Sequence, residues 1–195
     1  MKKPACCFTG HRPQKLHFGY DEEYEDCIRL KMALAREIRA MLDAGVTTFY
    51  TGMGVGVDMW CAELVQSFQE DMPELGIRLN AVIPYEGQAD RWSNDYRERY
   101  FDILTRADDE ITLNARYTKA CMQERNRYMV DSSTHIIAVY DGGAGRTKKT
   151  LEYARGKNLT VITIDPQTAG IKMSPPLRRF TLLKGKNQDR FTKNH

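Results

Sequence analysis

"TGMGVGVDMWCAE", residues 51–63, decides how the chain is read. A β-prone run, 46–51, leads into it; glycines follow at 52, 54 and 56, and an amphipathic run starts at Val57 with Asp58 in its first turn. A strand that passes through glycine into a helix is half of a βαβ unit. Without side chains at Gly52, Gly54 and Gly56, backbone N–H groups can approach a ligand closely. The helix beginning there points its positive dipole end into the same space, which suits an anion or the polar edge of a nucleotide. Asp58 either caps those amides or accepts bonds from a ribose or base.

Outward from this segment, strand-like and helix-like runs alternate along most of the chain. Strands are expected near 5–9, 46–51, 77–83, 110–113, 134–140 and 159–164. Helices are expected over 24–44, from 57 to just before Pro73, over 93–107 and 118–130, and from Thr147 to near Gly156. In the first helix Ile28, Met32, Ala35, Ile38 and Leu42 form one apolar stripe, and Gly45 stands where a helix C-terminus needs it. The second is expected to bury Cys61, Leu64 and Phe68. The pattern predicts an α/β, Rossmann-like three-layer sandwich, a mostly parallel sheet with helices on both faces. Right-handed crossovers then gather the loops that follow the strands along the carboxyl edge.

Two further loops belong to that edge. "TGHRP" (9–13) follows the first strand: Gly10 allows a sharp exit, His11 is the one histidine inside such a loop, and Arg12 offers a planar five-donor cation to phosphate or carboxylate. "YDGGAGRTKKT" (140–150) follows the fifth strand, with Gly142, Gly143 and Gly145 as a second amide nest, Thr147 as helix cap, and Arg146, Lys148 and Lys149 as nearby cations. Between them, "YEGQADRW" supplies Tyr85 and Trp92 to stack on a base and Gln88 to read its edge, although core packing serves Trp92 equally well. Arg125 and Asn126, in "MQERNRYM", can reach phosphates from the fourth helix.

Several chemistries are excluded. No G-x-x-x-x-G-K-[ST] occurs, Val57 stands where G-x-G-x-x-G needs its third glycine, and the following strand ends in Pro84 and Tyr85 instead of a ribose-binding acid. No Ser/His/Asp set and no metal cluster can be assembled, and no cofactor is named by the residues. The five cysteines contain no C-x-x-C pair and read as small buried hydrophobes. Lacking an apolar run of about eighteen residues and a signal-like N-terminus, the chain is expected in the cytoplasm, off the membrane. Residues 1–166 read as one domain and 167–195 as a basic tail, with seven of the 29 Lys and Arg and one of the 26 acids. Such a tail attracts phosphate at long range, and its Arg178 and Arg179 make nucleic acid a secondary expectation.

TGHRP, TGMGVGVDMWCAE, PYEGQADRW and ERNRYMVDSSTHIIAVYDGGAGRT, in this order, resemble the YpsA-like family of the SLOG superfamily over about residues 6–166. The resemblance implies a Rossmann-like sheet, similar in fold to DprA and the Lonely Guy phosphoribohydrolases, that holds nucleotides or nucleotide-derived small molecules; similar folds also suggest a homodimer. The phosphoribohydrolase motif M-H-x-R-K resembles residues 122–126, but Gln123 and Asn126 replace its histidine and lysine. Where that family carries a glutamate three residues after its P-G-G-x-G-T loop, Thr150 stands, leaving Asp58 or Glu152 to stabilise an oxocarbenium-like state. The expectation is therefore nucleotide binding first, N-glycosidase chemistry second and DprA-like nucleic-acid binding third.

Overall fold

The computed structural model describes residues 3–175. Seven strands form one sheet in the order β4-β3-β2-β1-β5-β6-β7. They are β1 (Cys6–Thr9), β2 (Thr48–Thr51), β3 (Arg78–Ile83), β4 (Asp109–Thr112), β5 (His135–Val139), β6 (Thr160–Ile164) and β7 (Ile171–Ser174). The first six are parallel, and β7 runs antiparallel beside β6. The helices are α1 (Glu25–Asp43), α2 (Val57–Asp71), α3 (Asn94–Thr105), α4 (Cys121–Ser132) and α5 (Arg146–Gly156). Among the described residues no helix is long and apolar enough to cross a membrane.

Alternation along the strands sends neighbouring residues to opposite faces. Phe8, Phe49, Ile137 and Ile162 share one core with α1, α2 and α3, while Cys7, Ile136, Ala138 and Val161 share the other with α4 and α5. Burial on both sides explains why β1 is buried at every position. All five cysteines are buried within these layers, none of them in a disulfide. The strand order reverses between β1 and β5, so the open end between them is the topological switch point, and the loops after β1, β2 and β5 converge there.

Two expectations are corrected. The stripe of α1 is right in its second half and shifted in its first: Ile38 and Leu42 are buried as expected, but Cys27, Leu30 and Leu34 face the core where Ile28 and Met32 were expected, and those two are exposed. In α2, Met59, Trp60, Cys61 and Val65 are buried, while Leu64 and Phe68 pack only partly against the core. The sheet also has a strand beyond residue 166, β7, reached through a turn in which Asp165 accepts the N–H groups of Gln167 and Thr168, both at 2.9 Å. The expectation for Arg178 and Arg179 lies outside the described residues.

Candidate functional site

The glycines at the carboxyl edge serve two purposes. Some allow chain to pack on chain. A Cβ on Gly10 would fall 2.6 Å from Val57 Cγ2; one on Gly56, whose φ is +95°, would fall 2.9 Å from Pro13 Cδ. The loops after β1 and β2 therefore interlock. Gly52 is buried away from the cavity: a Cβ there would overlap the Arg125 guanidinium, whose Nη1 donates to the Gly52 carbonyl. Gly54 does border the cavity, with its N–H donating to Asp58 Oδ2 at 3.3 Å.

A cavity of about 240 Å³ opens between the loops after β1 and β2, α4 and the first turn of α5, lined by Gly10, His11, Arg12, Lys15, Gly54, Asp58, Met122, Arg125, Asn126, Arg146 and Thr147, among others. Arg125, 9% exposed, is its only buried cation, with Nη1 3.3 Å from Asp58 Oδ2 and a buried Nε without a hydrogen-bond partner among the described residues. Burial pushes the Asp58 carboxyl up, opposed chiefly by Arg125; burial likewise lowers the Arg125 guanidinium, opposed by Asp58. An arginine stays protonated at any ordinary pH, so Arg125 brings a full positive charge to Asp58.

His11 is buried, with Nε2 3.1 Å from Asp141 Oδ1. The Gly143 N–H, bonded at 2.8 Å, holds the Asp141 carboxyl below its usual range; slight burial opposes this and His11 assists. This engages one amide of the second glycine turn. Gly142, Gly143 and Gly145, the last directly before α5, are all exposed and none of them lines the cavity, so the expected second amide nest does not face it. Thr147 is inside α5 and not its cap; its hydroxyl points to the Gly10 carbonyl at 3.4 Å, joining α5 to the β1 loop. Asn126 donates to Thr150 Oγ1 at 2.8 Å, joining α4 to α5.

A wider cavity of about 610 Å³ adjoins the first and shares Arg12, Gly54, Met122, Arg125 and Arg146 with it. Tyr85, Arg91, Trp92, Arg116 and Tyr117 are in its wall. Tyr85 meets Tyr117 edge-on at 5.4 Å, and Trp92 meets Tyr100 edge-on at 5.4 Å while leaning on the core, so Trp92 serves both wall and packing. Gln88 borders this cavity too, but its Nε2 is engaged by the Met53 carbonyl at 2.7 Å.

Sequence reasoning missed Lys15, Met122, Arg116 and Tyr117 and left Arg146 outside its site set. Lys15 ends the 3-10 turn after Arg12, and Tyr117 is in the loop after β4, so position at the carboxyl edge was the available signal for both. Glu63 is held by Arg99 on the α2–α3 side, and Glu152 is exposed away from both cavities.

The comparisons with known proteins agree with this architecture. A UPF0398 protein of Bacillus velezensis is 25% identical over 173 residues, covering 84% of this chain and 93% of the relative. A UPF0398 protein of Bacillus thuringiensis is 32% identical over 153 residues, covering 76% and 81%. Among solved structures, DNA processing protein A from Helicobacter pylori, described for its single-stranded DNA binding mode, superposes with a TM-score of 0.54 at 13% identity. This match covers 83% of the present chain and 65% of that one, and it speaks to the fold alone. Residues 6–167 match the family described as YspA SLOG, and the chain belongs to that family.

Proposed function

We propose that the chain binds a nucleotide or nucleotide-derived small molecule at the switch point, with phosphate among the arginines and the base against Tyr85 and Trp92. One observation carries this: Arg12, Arg125 and Arg146 border both cavities, so the cations stand between a small polar chamber and a larger aromatic one. A nucleotide has that same division, an anion joined to a flat π-surface. The volumes fall in or near the roughly 300–1,000 Å³ usual for small-molecule sites. Five buried cysteines, none of them in a disulfide, fit a reducing, cytoplasmic setting.

Calorimetry with AMP, ADP-ribose, NAD and cyclic nucleotides tests the proposal. At least one is expected to bind, and Arg12→Ala, at an exposed position, to weaken it about tenfold without lowering Tm. A panel that does not bind at all sinks it. The single-stranded DNA binding of the Helicobacter pylori protein supports including an oligonucleotide in the panel.

A second reading rests on Asp58, the one carboxylate in the wall of the smaller cavity. A carboxylate there can stabilise an oxocarbenium-like sugar during N-glycosidic cleavage. This reading expects free base from a nucleoside monophosphate, and loss of that release in Asp58→Asn.

A further inference from the structure

Many surface cations of this protein are paired. Arg39 meets Asp43, Arg106 meets Asp102 and Lys157 meets Asp131. The groove between α4 and α5 is different. It encloses about 340 Å³ and is lined by Lys119, Gln123, Arg127, Arg146, Lys149 and Tyr153, among others, with no carboxylate in its wall. Among the described residues none of Lys119, Arg127, Arg146 and Lys149 forms an ion pair. Asp131 is engaged by Lys157 at 2.7 Å and by the Tyr153 hydroxyl at 2.9 Å.

Four uncompensated cations around one groove repel each other, and a bound polyanion relieves that repulsion. Arg127 is also positioned: its guanidinium carbon lies 5.5 Å from the centroid of the Tyr153 ring, and a stacked guanidinium keeps its in-plane N–H donors for an anion. The groove adjoins the site described above. Met122 and Arg146 border it and both cavities, and Asn126 borders it and the smaller one. A guest with its base in the aromatic chamber and its first phosphate among the arginines has this groove as the next polar space.

Resting on the nucleotide reading, we infer that the α4–α5 groove is a second phosphate subsite. The guest is then a nucleotide carrying a further phosphoryl group, either as a nucleoside polyphosphate or through a phosphodiester to a second nucleotide.

Calorimetry on the full chain with AMP, ADP, the 5′-phosphorylated dinucleotide pApA and inorganic tripolyphosphate tests this. ADP or pApA is expected to bind about tenfold more tightly than AMP, and which of them does so separates the two sources of the second phosphate. In Lys119→Ala/Lys149→Ala, both positions being exposed, that gain is lost while AMP binding and Tm stay unchanged. Lys149→Arg, which keeps the charge, retains the gain, and Lys148→Ala, outside the groove wall, is silent. If AMP binds but ADP and pApA bind no better, or the double variant alters nothing, the subsite is overturned. If no nucleotide binds, the nucleotide reading itself falls, and tripolyphosphate decides the groove alone: lysine-dependent binding keeps it as a phosphate site, and no binding overturns it.

Discussion

Arg125 of α4 extends to the end of β2 and donates from Nη1 to the carbonyl oxygen of Gly52. The same nitrogen lies 3.3 Å from the Asp58 carboxylate, so one buried guanidinium ties α4 to the β2 loop and to the first turn of α2. Removing it leaves a buried carboxylate without its counter-ion. Arg125→Met is expected to lose about 3–5 kcal/mol at neutral pH, read from urea unfolding. Asp58 has a folded pKa raised by burial, so its contribution is most unfavourable above that pKa and fades as pH falls toward the unfolded value. The deficit of Arg125→Met should therefore be smaller at acidic pH than at pH 8, and a deficit independent of pH would refute the charge argument.

Gly10 and Val57 provide a packing test free of charge. Gly10→Ala places a methyl group within 2.8 Å of three Val57 side-chain carbons and should cost about 1–3 kcal/mol. In a Val57→Gly background the same change should be much less damaging, a coupling that a double-mutant cycle measures. Strict additivity would show that the loops do not interlock as described.

Glu22 contributes to the acid limb of stability. Burial acts to raise its pKa, but hydrogen bonds from Arg99 and Lys31 hold the carboxyl down at about 2 from an ordinary 4.5. A depressed carboxylate stabilises the fold above its unfolded pKa, and that stability is lost as pH falls from there toward about 2. Glu22→Gln should remove about 2 kcal/mol at pH 7, after allowing for partial solvent screening, and should flatten the fall in stability between pH 5 and roughly 2. Denaturation midpoints across that range check both.

Gln88 separates a structural role from base reading. Its Nε2 satisfies the carbonyl of Met53, a residue at φ +54° in the β2 loop. Gln88→Met leaves that buried carbonyl unpaired and should lower stability by about 1–3 kcal/mol, measured by thermal unfolding without ligand. An unchanged Tm would return Gln88 to the ligand side of the account.

The sheet and its order of elements were legible because β-prone and amphipathic runs alternate with little ambiguity. What failed was phase and partnership. Residues 28, 32, 35, 38 and 42 of α1 keep the helical period, but so does the buried set beginning at Cys27; the two merge at Ile38 and Leu42, and in the first two turns spacing alone does not choose between adjacent stripes. β7 is four residues long, with one half-buried and three exposed positions, too little pattern to announce a strand; the Asp165–Gly170 turn was its only sign. At the site, position along the carboxyl edge was legible for Arg12, Gly54, Asp58 and Arg125. The purpose of each glycine was not, because a residue lacking a side chain records that something is near without saying whether it is a ligand, an arginine or another loop.

The interlocking of the β1 and β2 loops also bears on association kinetics. A floor in which Val57 fills the space over Gly10, and Pro13 the space over Gly56, has its backbone already set before any guest arrives. Preorganisation of this kind spares the entropy of ordering a loop on binding, so capture should proceed without a slow closing step and affinity should vary chiefly through the dissociation rate.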